Sequence, residues 1–480
     1  MADLKNTLHN ILQDKYGFGD FRPGQEAALL KAISGQPTLA ILPTGAGKSL
    51  LYQLPAYLTN GLILVVSPLI SLMQDQVDRI RYRGDFKVAM LNSQLNYQEQ
   101  RAVLNSLAQY RFLFTSPETL VKKNMLTALM RQHVQMMVID EAHCISQWGP
   151  SFRPEYLLLK NVWQQIRPAW FLMLTATATP AVANDILQKL GLNPQQTAMV
   201  RQPVDRSNIF LAVQQLENEQ TKQRYLMRMV KQLGSSGVIY FSSKKVANQL
   251  ARQLQHDTGL RVAAYHADLD SLERFKIQQH FMANQLDVIC ATSAFGMGIN
   301  KNDIRYVIHY HLPGSIESYV QEYGRAGRDG QPALALLLYC PGDEYLQEVL
   351  GQTPIPEARV INQVQTNELP RAVLGEQQEL ITFYLGHGYS IPELQKVLQQ
   401  QNQLSQQRLA RMIDYVRATS CYREIINHYF GHQQTVHPAN CCSVDEPDWQ
   451  VSELGLPAVK RTCTTEQGGD WETTIEQLFD

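Results

Sequence analysis

The chain has 480 residues, enough for two to four domains with sizeable cores. Hydrophobic residues make up 44% and the formal net charge is −1, which excludes a disordered chain and a generally basic coat for nucleic acid. Any nucleic-acid contact has to come from local basic grooves and aromatic platforms rather than from bulk charge.

Residues 1–35 read as helices broken at Tyr16-Gly17-Phe18-Gly19. The apolar run Thr38–Leu42 is short enough for a buried strand, and Leu50–Leu54 reads as the first turns of a helix. Between them lies Leu42-Pro43-Thr44-Gly45-Ala46-Gly47-Lys48-Ser49. A strand, a glycine turn and a helix N-terminus make an anion site, because backbone N–H groups point into the turn and the helix dipole favours negative charge. Gly45 and Gly47 let the chain approach phosphate closely. Thr44 to Ser49 then cradle a triphosphate, with the Lys48 charge on the β/γ-phosphates and the Ser49 hydroxyl on Mg²⁺. Leu42 stands where the phosphate-loop pattern has its first glycine.

Strand-like runs follow at Leu62–Val66, Phe112–Thr115, Met136–Ile139 and Phe171–Leu174, separated by helical pattern. That alternation predicts a parallel sheet with crossover helices. Met136–Ile139 ends in Asp140-Glu141-Ala142-His143. A carboxylate at a strand end suits the Mg²⁺ of a phosphate-loop site, so Asp140 is the expected ligand and Glu141 the group that polarises the attacking water. The polar segment Gln202–Asn208 marks a lobe boundary. A second series follows without a phosphate loop: Gly237–Phe241, Val262–His266, Asp287–Ala291, Tyr306–His311 and Ala333–Cys340. From about Asp343 the strands stop; residues 343–435 read as helical, with a Gln-rich face at Gln395–Gln407. From Ser443 onward nine acids face two bases, which predicts a mobile tail or one that docks on a protein partner. No apolar run is long enough to span a membrane, and Met1–Asn6 lacks the layout of a signal peptide. The expectation is a cytoplasmic protein, nucleoid-associated if bacterial, with no membrane partner.

Two such lobes, only the first with a phosphate loop, resemble superfamily 2 helicases. The fold class expected is α/β, with two tandem RecA-like parallel-sheet lobes followed by a mostly helical module. The boundaries are 1–204 and 205–342 for the lobes, 343–445 for a helical, zinc-type module and 446–480 for the acidic tail. In that architecture ATP lies between the lobes, and a basic residue of the second lobe meets the γ-phosphate. Gln321-Glu322-Tyr323-Gly324-Arg325-Ala326-Gly327-Arg328 resembles the arginine-bearing motif. The resemblance assigns Arg328 as the arginine finger and has Arg325 and Gln321 reach phosphate and water.

The narrower resemblance is to the RecQ family of DNA helicases, over roughly residues 10–440. Phe18-Gly19-Asp20-Phe21-Arg22-Pro23-Gly24-Gln25 is similar to that family's adenine-reading motif. Gln25 suits the adenine N6/N7 edge, Phe18 offers the base a flat face, and Arg22 reaches base or phosphate. Ser67–Gln76 and Thr115–Glu118 resemble the motifs that track one DNA strand, with Ser67 and Ser116 near phosphate. Leu174–Ala178 resembles the motif linking nucleotide state to that track, and Ala291–Gly298 is a second-lobe match with Thr292 on the DNA side. Cys144–Tyr156 resembles the aromatic-rich loop, where Trp148, Phe152 and Arg153 offer stacking faces and a cation, on the order of 1–3 kcal/mol per stacked base. That loop departs from its family: Pro150 and Ser151 replace His and Asp, which predicts weaker DNA stimulation of hydrolysis.

Seven cysteines are present; Cys421, Cys441 and Cys442 lie close together, which in a reducing compartment suggests metal. Leu409–Val416, Cys421–Arg423 and Asn427–Gly431 resemble the helices of the RecQ zinc module. Cys441 matches one expected ligand, while Pro438 and Val444 occupy two cysteine positions. Cys421, His437, Cys441 and one of Cys442 or Asp445 make a four-ligand Zn²⁺ set; helix packing in place of the metal is the alternative. Residues 446–480 are too few for the winged helix that many members carry, so a short form without it and without a further helical domain is expected. The resemblance implies a 3′→5′ DNA helicase of repair and recombination, using ATP and Mg²⁺ on single-stranded and branched DNA. The rivals are a DNA-binding scaffold with a decayed ATPase, which a single-turnover assay separates, and an RNA helicase, which matched duplexes separate.

Overall fold

A computed structural model of the chain describes residues 2–147, 153–234, 236–296, 299, 301–366, 368, 374–433 and 437–458. The chain forms two compact units. One holds the residues up to Val204 together with 353–403; the other holds 205–352 with the described residues from 404 onward.

The first unit is built on seven strands: β1 (Thr38–Ile41), β2 (Leu62–Val66), β3 (Val88–Leu91), β4 (Phe112–Thr115), β5 (Val134–Ile139), β6 (Trp170–Thr175) and β7 (Ala198–Arg201). They line up as β3-β4-β2-β5-β6-β1-β7, every pairing parallel. Side chains alternate between the two faces: Leu64, Val66, Met137 and Ile139 enter one core, and Ile63, Val65, Met136 and Val138 the other. Covering helices on both faces explains why these strands read as unbroken apolar runs. At β1 the same alternation sends Leu39 and Ile41 one way and Ala40 and Leu42 the other. The expected helix after the loop is one α-turn, Leu50–Gln53, running into a 3₁₀ turn at Leu54–Tyr57. Pro55 lacks the N–H that would continue the α ladder. Residues 353–403 add a small core of Ile361, Val364, Leu380, Ile381, Tyr384, Leu394 and Leu398.

The second unit carries six strands: β8 (Ile209–Gln215), β9 (Gly237–Tyr240), β10 (Val262–Tyr265), β11 (Val288–Ala291), β12 (Tyr306–His309) and β13 (Ala333–Tyr339). Their order is β10-β11-β9-β12-β13-β8, again all parallel. Tandem parallel sheets with helices after Asp343 make up the expected fold class. The start of the acidic segment packs against the second sheet. Leu211 bridges Cys442, the Trp449 ring lies 5.2 Å from that of Phe210, and Leu454 is buried in the sheet's core. The last described residue is Ala458; the remainder of the expected tail lies outside the described residues. No helix among the described residues is long and apolar enough to cross a membrane.

Candidate nucleotide site, arginine loop and metal cluster

β1 delivers its loop at the carboxyl edge of the first sheet, where the N–H of Leu42 donates to the Thr175 carbonyl at the end of β6. Gly45 and Gly47 have φ of 85° and 73°, values closed to most side chains. Arg22 donates to the Gly45 carbonyl, and the Gln25 amide donates to Ala46 O at 2.7 Å and Gly47 O at 3.2 Å. A Cβ at Gly47 would stand 2.8 Å from the Gln25 amide nitrogen. The expected adenine-reading residues therefore fold onto the loop, and Gln25 is buried. Beside them a recess of about 190 Å³ is lined by Tyr16, Phe18, Arg22, Gln25, Ser49 and Arg83, among others. Phe18 is half exposed, and the Arg83 guanidinium lies over the Tyr16 ring at 4.7 Å. Tyr16 and Arg83 were not singled out in the sequence; an aromatic just before a glycine pair was the one signal there.

Lys48 Nζ lies 3.3 Å from the Leu42 carbonyl. β5 ends on the same edge and presents Asp140, whose N–H donates to Val66 O at 2.8 Å. The Asp140 carboxyl is pushed up to about 7, first by burial and then by the Glu141 charge, with Lys48 pulling the other way. Glu141 takes φ of 50°, a left-handed conformation that a glutamate holds at a cost of order 1–3 kcal/mol. Its Oε2 lies 3.2 Å from His143 Nδ1, which is also 2.9 Å from Thr175 Oγ1. His143 thus ties the Glu141 carboxylate to Thr175 in the Leu174–Ala178 motif, a contact that sequence spacing does not show.

Of the expected DNA-side groups, Ser67, Ser116 and Thr292 are buried. The Ser116 hydroxyl caps the helix Pro117–Leu120, and Ser67 Oγ has no hydrogen-bond partner among the described residues. Arg153 pairs with Glu118 at 2.8 Å and donates to the Pro68 carbonyl. Trp148, Pro150, Ser151 and Phe152 lie outside the described residues.

In the second unit, Gln321 lies in the helix Ile316–Tyr323 and Arg325 and Arg328 in the turn that follows. Arg325 is buried, and its Nε has no hydrogen-bond partner among the described residues. Arg328 donates to the Ile299 carbonyl at 2.7 Å. Glu322 accepts from His309 at 2.8 Å, and the buried Arg305 pairs with Asp329 at 2.6 Å.

Cys421, His437, Cys441 and Asp445 bring one ligand atom each within 4.8 Å of one another. The two Sγ atoms are 3.5 Å apart, and His437 Nδ1 lies 3.8 and 3.6 Å from them. A tetrahedral zinc with its usual bond lengths needs S···S and S···N edges of about 3.6–3.8 Å. The donors fit. His437 Nε2 meets Glu424 at 3.0 Å, as metal-bound imidazoles meet a carboxylate. Burial pushes the Cys421 thiol well up and that of Cys441 up to about 11. Of the two candidates for the fourth place, Asp445 lies in this set and Cys442 does not, although its Sγ is 3.8 Å from that of Cys421. On extended chain neighbouring side chains diverge; Cys442 is wholly buried, 3.2 Å from Asp445 Oδ2.

Comparison with known proteins agrees. Residues 22–186 match the DEAD/DEAH box helicase family, 221–330 the helicase conserved C-terminal domain and 388–446 the RecQ zinc-binding family. A probable ATP-dependent DNA helicase RecS of Bacillus subtilis is 38% identical over 92% of this chain and 92% of its own. The ATP-dependent DNA helicase RecQ of Haemophilus influenzae is 37% identical over 92% of this chain, which spans 64% of that relative. Among solved structures, DUF1998 helicase MrfA bound to DNA has a TM-score of 0.60 at 16% identity, covering 71% of this chain and 52% of that one. Mss116p bound to ssRNA and AMP-PNP has 0.60 at 15%, covering 84% and 91%. The last two speak for the fold alone; on the strength of the relatives and the zinc-binding match, this chain belongs to the RecQ family of ATP-dependent DNA helicases.

Proposed function

We propose that this chain uses ATP and Mg²⁺ to move 3′→5′ along single-stranded DNA and to separate duplexes, including branched ones, in repair or recombination in the cytoplasm or nucleoid. The observation that supports it most is the meeting of the Lys48 loop with Asp140 and Glu141 at one sheet edge, with the Gln25 recess alongside.

In this reading Thr44, Gly45, Ala46, Gly47 and Lys48 hold the phosphates, and Ser49 and Asp140 hold Mg²⁺. Glu141 orients and deprotonates the attacking water, with His143 holding its carboxylate. Gln25 leaves the loop carbonyls for the adenine edge when ATP enters, and Phe18 and Arg22 follow the base. Arg328, with Arg325 and Gln321, stabilises charge on the transferred phosphoryl group. Ser67, Ser116, Thr292, Trp148, Phe152 and Arg153 belong to the DNA track. Because the Ser67 and Ser116 hydroxyls are buried, their share falls to the adjoining backbone N–H groups. Cys421, His437, Cys441 and Asp445 hold a structural Zn²⁺, which fixes the loop around Cys441 and takes no part in hydrolysis. The described start of the acidic segment packs on the second sheet, which leaves any protein partner to the residues beyond it.

Lys48→Ala tests the assignment: it should abolish ATP hydrolysis while the melting temperature stays unchanged. A retained rate overturns the role of the loop.

A further inference from the structure

The arginine loop has a neighbour that the helicase motifs do not include. The segment leading into β8 lies along it. Arg206 donates to the carbonyls of Gly324 at 3.2 Å, Ala326 at 3.4 Å and Gly327 at 2.5 Å. Asn208 Nδ2 donates to Gly327 O at 2.9 Å and Gln331 O at 2.7 Å. The fit is tight: a Cβ on Gly327, whose φ is +55°, would stand 2.4 Å from Asn208 Nδ2.

Behind that segment sits Arg423, in the first turn of the helix Tyr422–Tyr429 and only 1% exposed. It donates to the Asp205 carboxylate and to the carbonyls of Arg206 at 3.2 Å, Ile209 at 2.6 Å and Cys441 at 3.4 Å. A buried guanidinium is a poor device for stability alone, since apolar packing serves as well without the desolvation cost. What its planar fork does, and an apolar side chain cannot, is hold several carbonyls at set places.

We propose that Arg423 and Arg206 form a two-guanidinium strut that positions the arginine loop, anchored at its far end on the Cys441 carbonyl. Both are positioning residues; neither meets nucleotide. The inference rests on the reading in which Arg325 and Arg328 act at the phosphates. A misplacement of about 1 Å costs on the order of 100-fold in rate, so a loosened loop lowers kcat. Nucleotide affinity, set by the loop and the Gln25 recess of the first unit, stays as it is.

Arg206 is only half buried, so Arg206→Gln is the variant of choice; Arg423→Gln serves if its melting temperature is retained. In the full chain, hydrogen exchange of the amides of 322–330 should quicken in Arg206→Gln. The kcat for ATP should fall about 10- to 100-fold, with the Kd of a fluorescent ATP analogue within about twofold and Arg206→Lys intermediate. Cys441→Ser should quicken the same amides in the wild-type background and add nothing in Arg206→Gln, since the strut is already broken. Arg328→Ala is the control. If it hydrolyses ATP at the wild-type rate, the role of the arginine loop fails. If it is inactive while Arg206→Gln keeps both kcat and exchange at wild-type values, the strut alone is overturned.

Discussion

The metal cluster makes a prediction with a slope. The metal-free thiols of Cys421 and Cys441 are held protonated by burial, one well above the usual thiol range and one at about 11. Zinc binds thiolates, so each ion that enters must displace both protons. Affinity therefore rises with the second power of proton dilution while both thiols are protonated. Each pH unit between 7 and 8 should tighten binding about 100-fold, or about 2.7 kcal/mol. Asp445, whose carboxyl is held low by its thiol neighbours against the effect of burial, releases no proton in that range. The sign in the metal-free protein is opposite. A thiol raised on folding stabilises the fold below its unfolded value and loses that contribution as pH climbs toward the folded one, so the stripped module weakens in alkali. Competition against a chromophoric chelator at pH 7.0, 7.5 and 8.0 measures the slope. Asp445→Ala should weaken binding at every pH and keep the slope of two, whereas Cys441→Ser should reduce it to one. A slope of one or less in the wild type, or a slope unchanged in Cys441→Ser, refutes the two-thiolate site.

Other outcomes follow from the nucleotide site. Glu141→Gln removes the base but keeps the cradle, so hydrolysis should fall about 10²–10⁴-fold with ATP still bound, seen by single-turnover kinetics beside a binding titration. Gln25→Ala should raise the KM for ATP and narrow the preference for ATP over GTP, read from kcat/KM for both nucleotides. Because the Asp140 carboxyl sits near 7 in the metal-free site, Mg²⁺ has to displace its proton below that pH; affinity for Mg²⁺, followed by thermal shift, should weaken as pH falls from 8 to 6 and level off above. Pro150→His with Ser151→Asp should raise the stimulation of ATPase by single-stranded DNA, and equal stimulation in the two proteins removes that expectation.

The parallel sheets were legible because strands such as Leu62–Val66 and Phe112–Thr115 are buried on both faces and so read as nearly continuous apolar runs. β7 escaped because it lies at the sheet's edge, half exposed and ending in Arg201. β8 escaped for a related reason: its polar ends, Asn208 before it and Gln214-Gln215 within it, look like a linker. The glycine loop and the Asp140–His143 strand end could be read as chemistry, since their residue types follow from the phosphate and the metal. The contacts that seat them could not. Gln25 on the loop carbonyls, His143 between Glu141 and Thr175, and Arg206 along the arginine loop join residues 21 to more than 100 positions apart. Local pattern carries no record of such pairs. The choice between Asp445 and Cys442, which the spacing leaves open, is the same lesson at short range, where the backbone direction at Cys441 decides which neighbour faces the cluster. Trp449 likewise reads as a lone aromatic among acids until Phe210 lies beneath it.

The most direct test of the motor itself is unwinding by the purified chain of matched DNA and RNA duplexes with 3′ single-stranded overhangs, with ATP and Mg²⁺, beside Lys48→Ala and Glu141→Gln. The account predicts strand separation of the DNA duplex by the wild type alone, lost with either substitution. Separation that persists without Lys48 or Glu141, or that occurs on RNA and not on DNA, contradicts it.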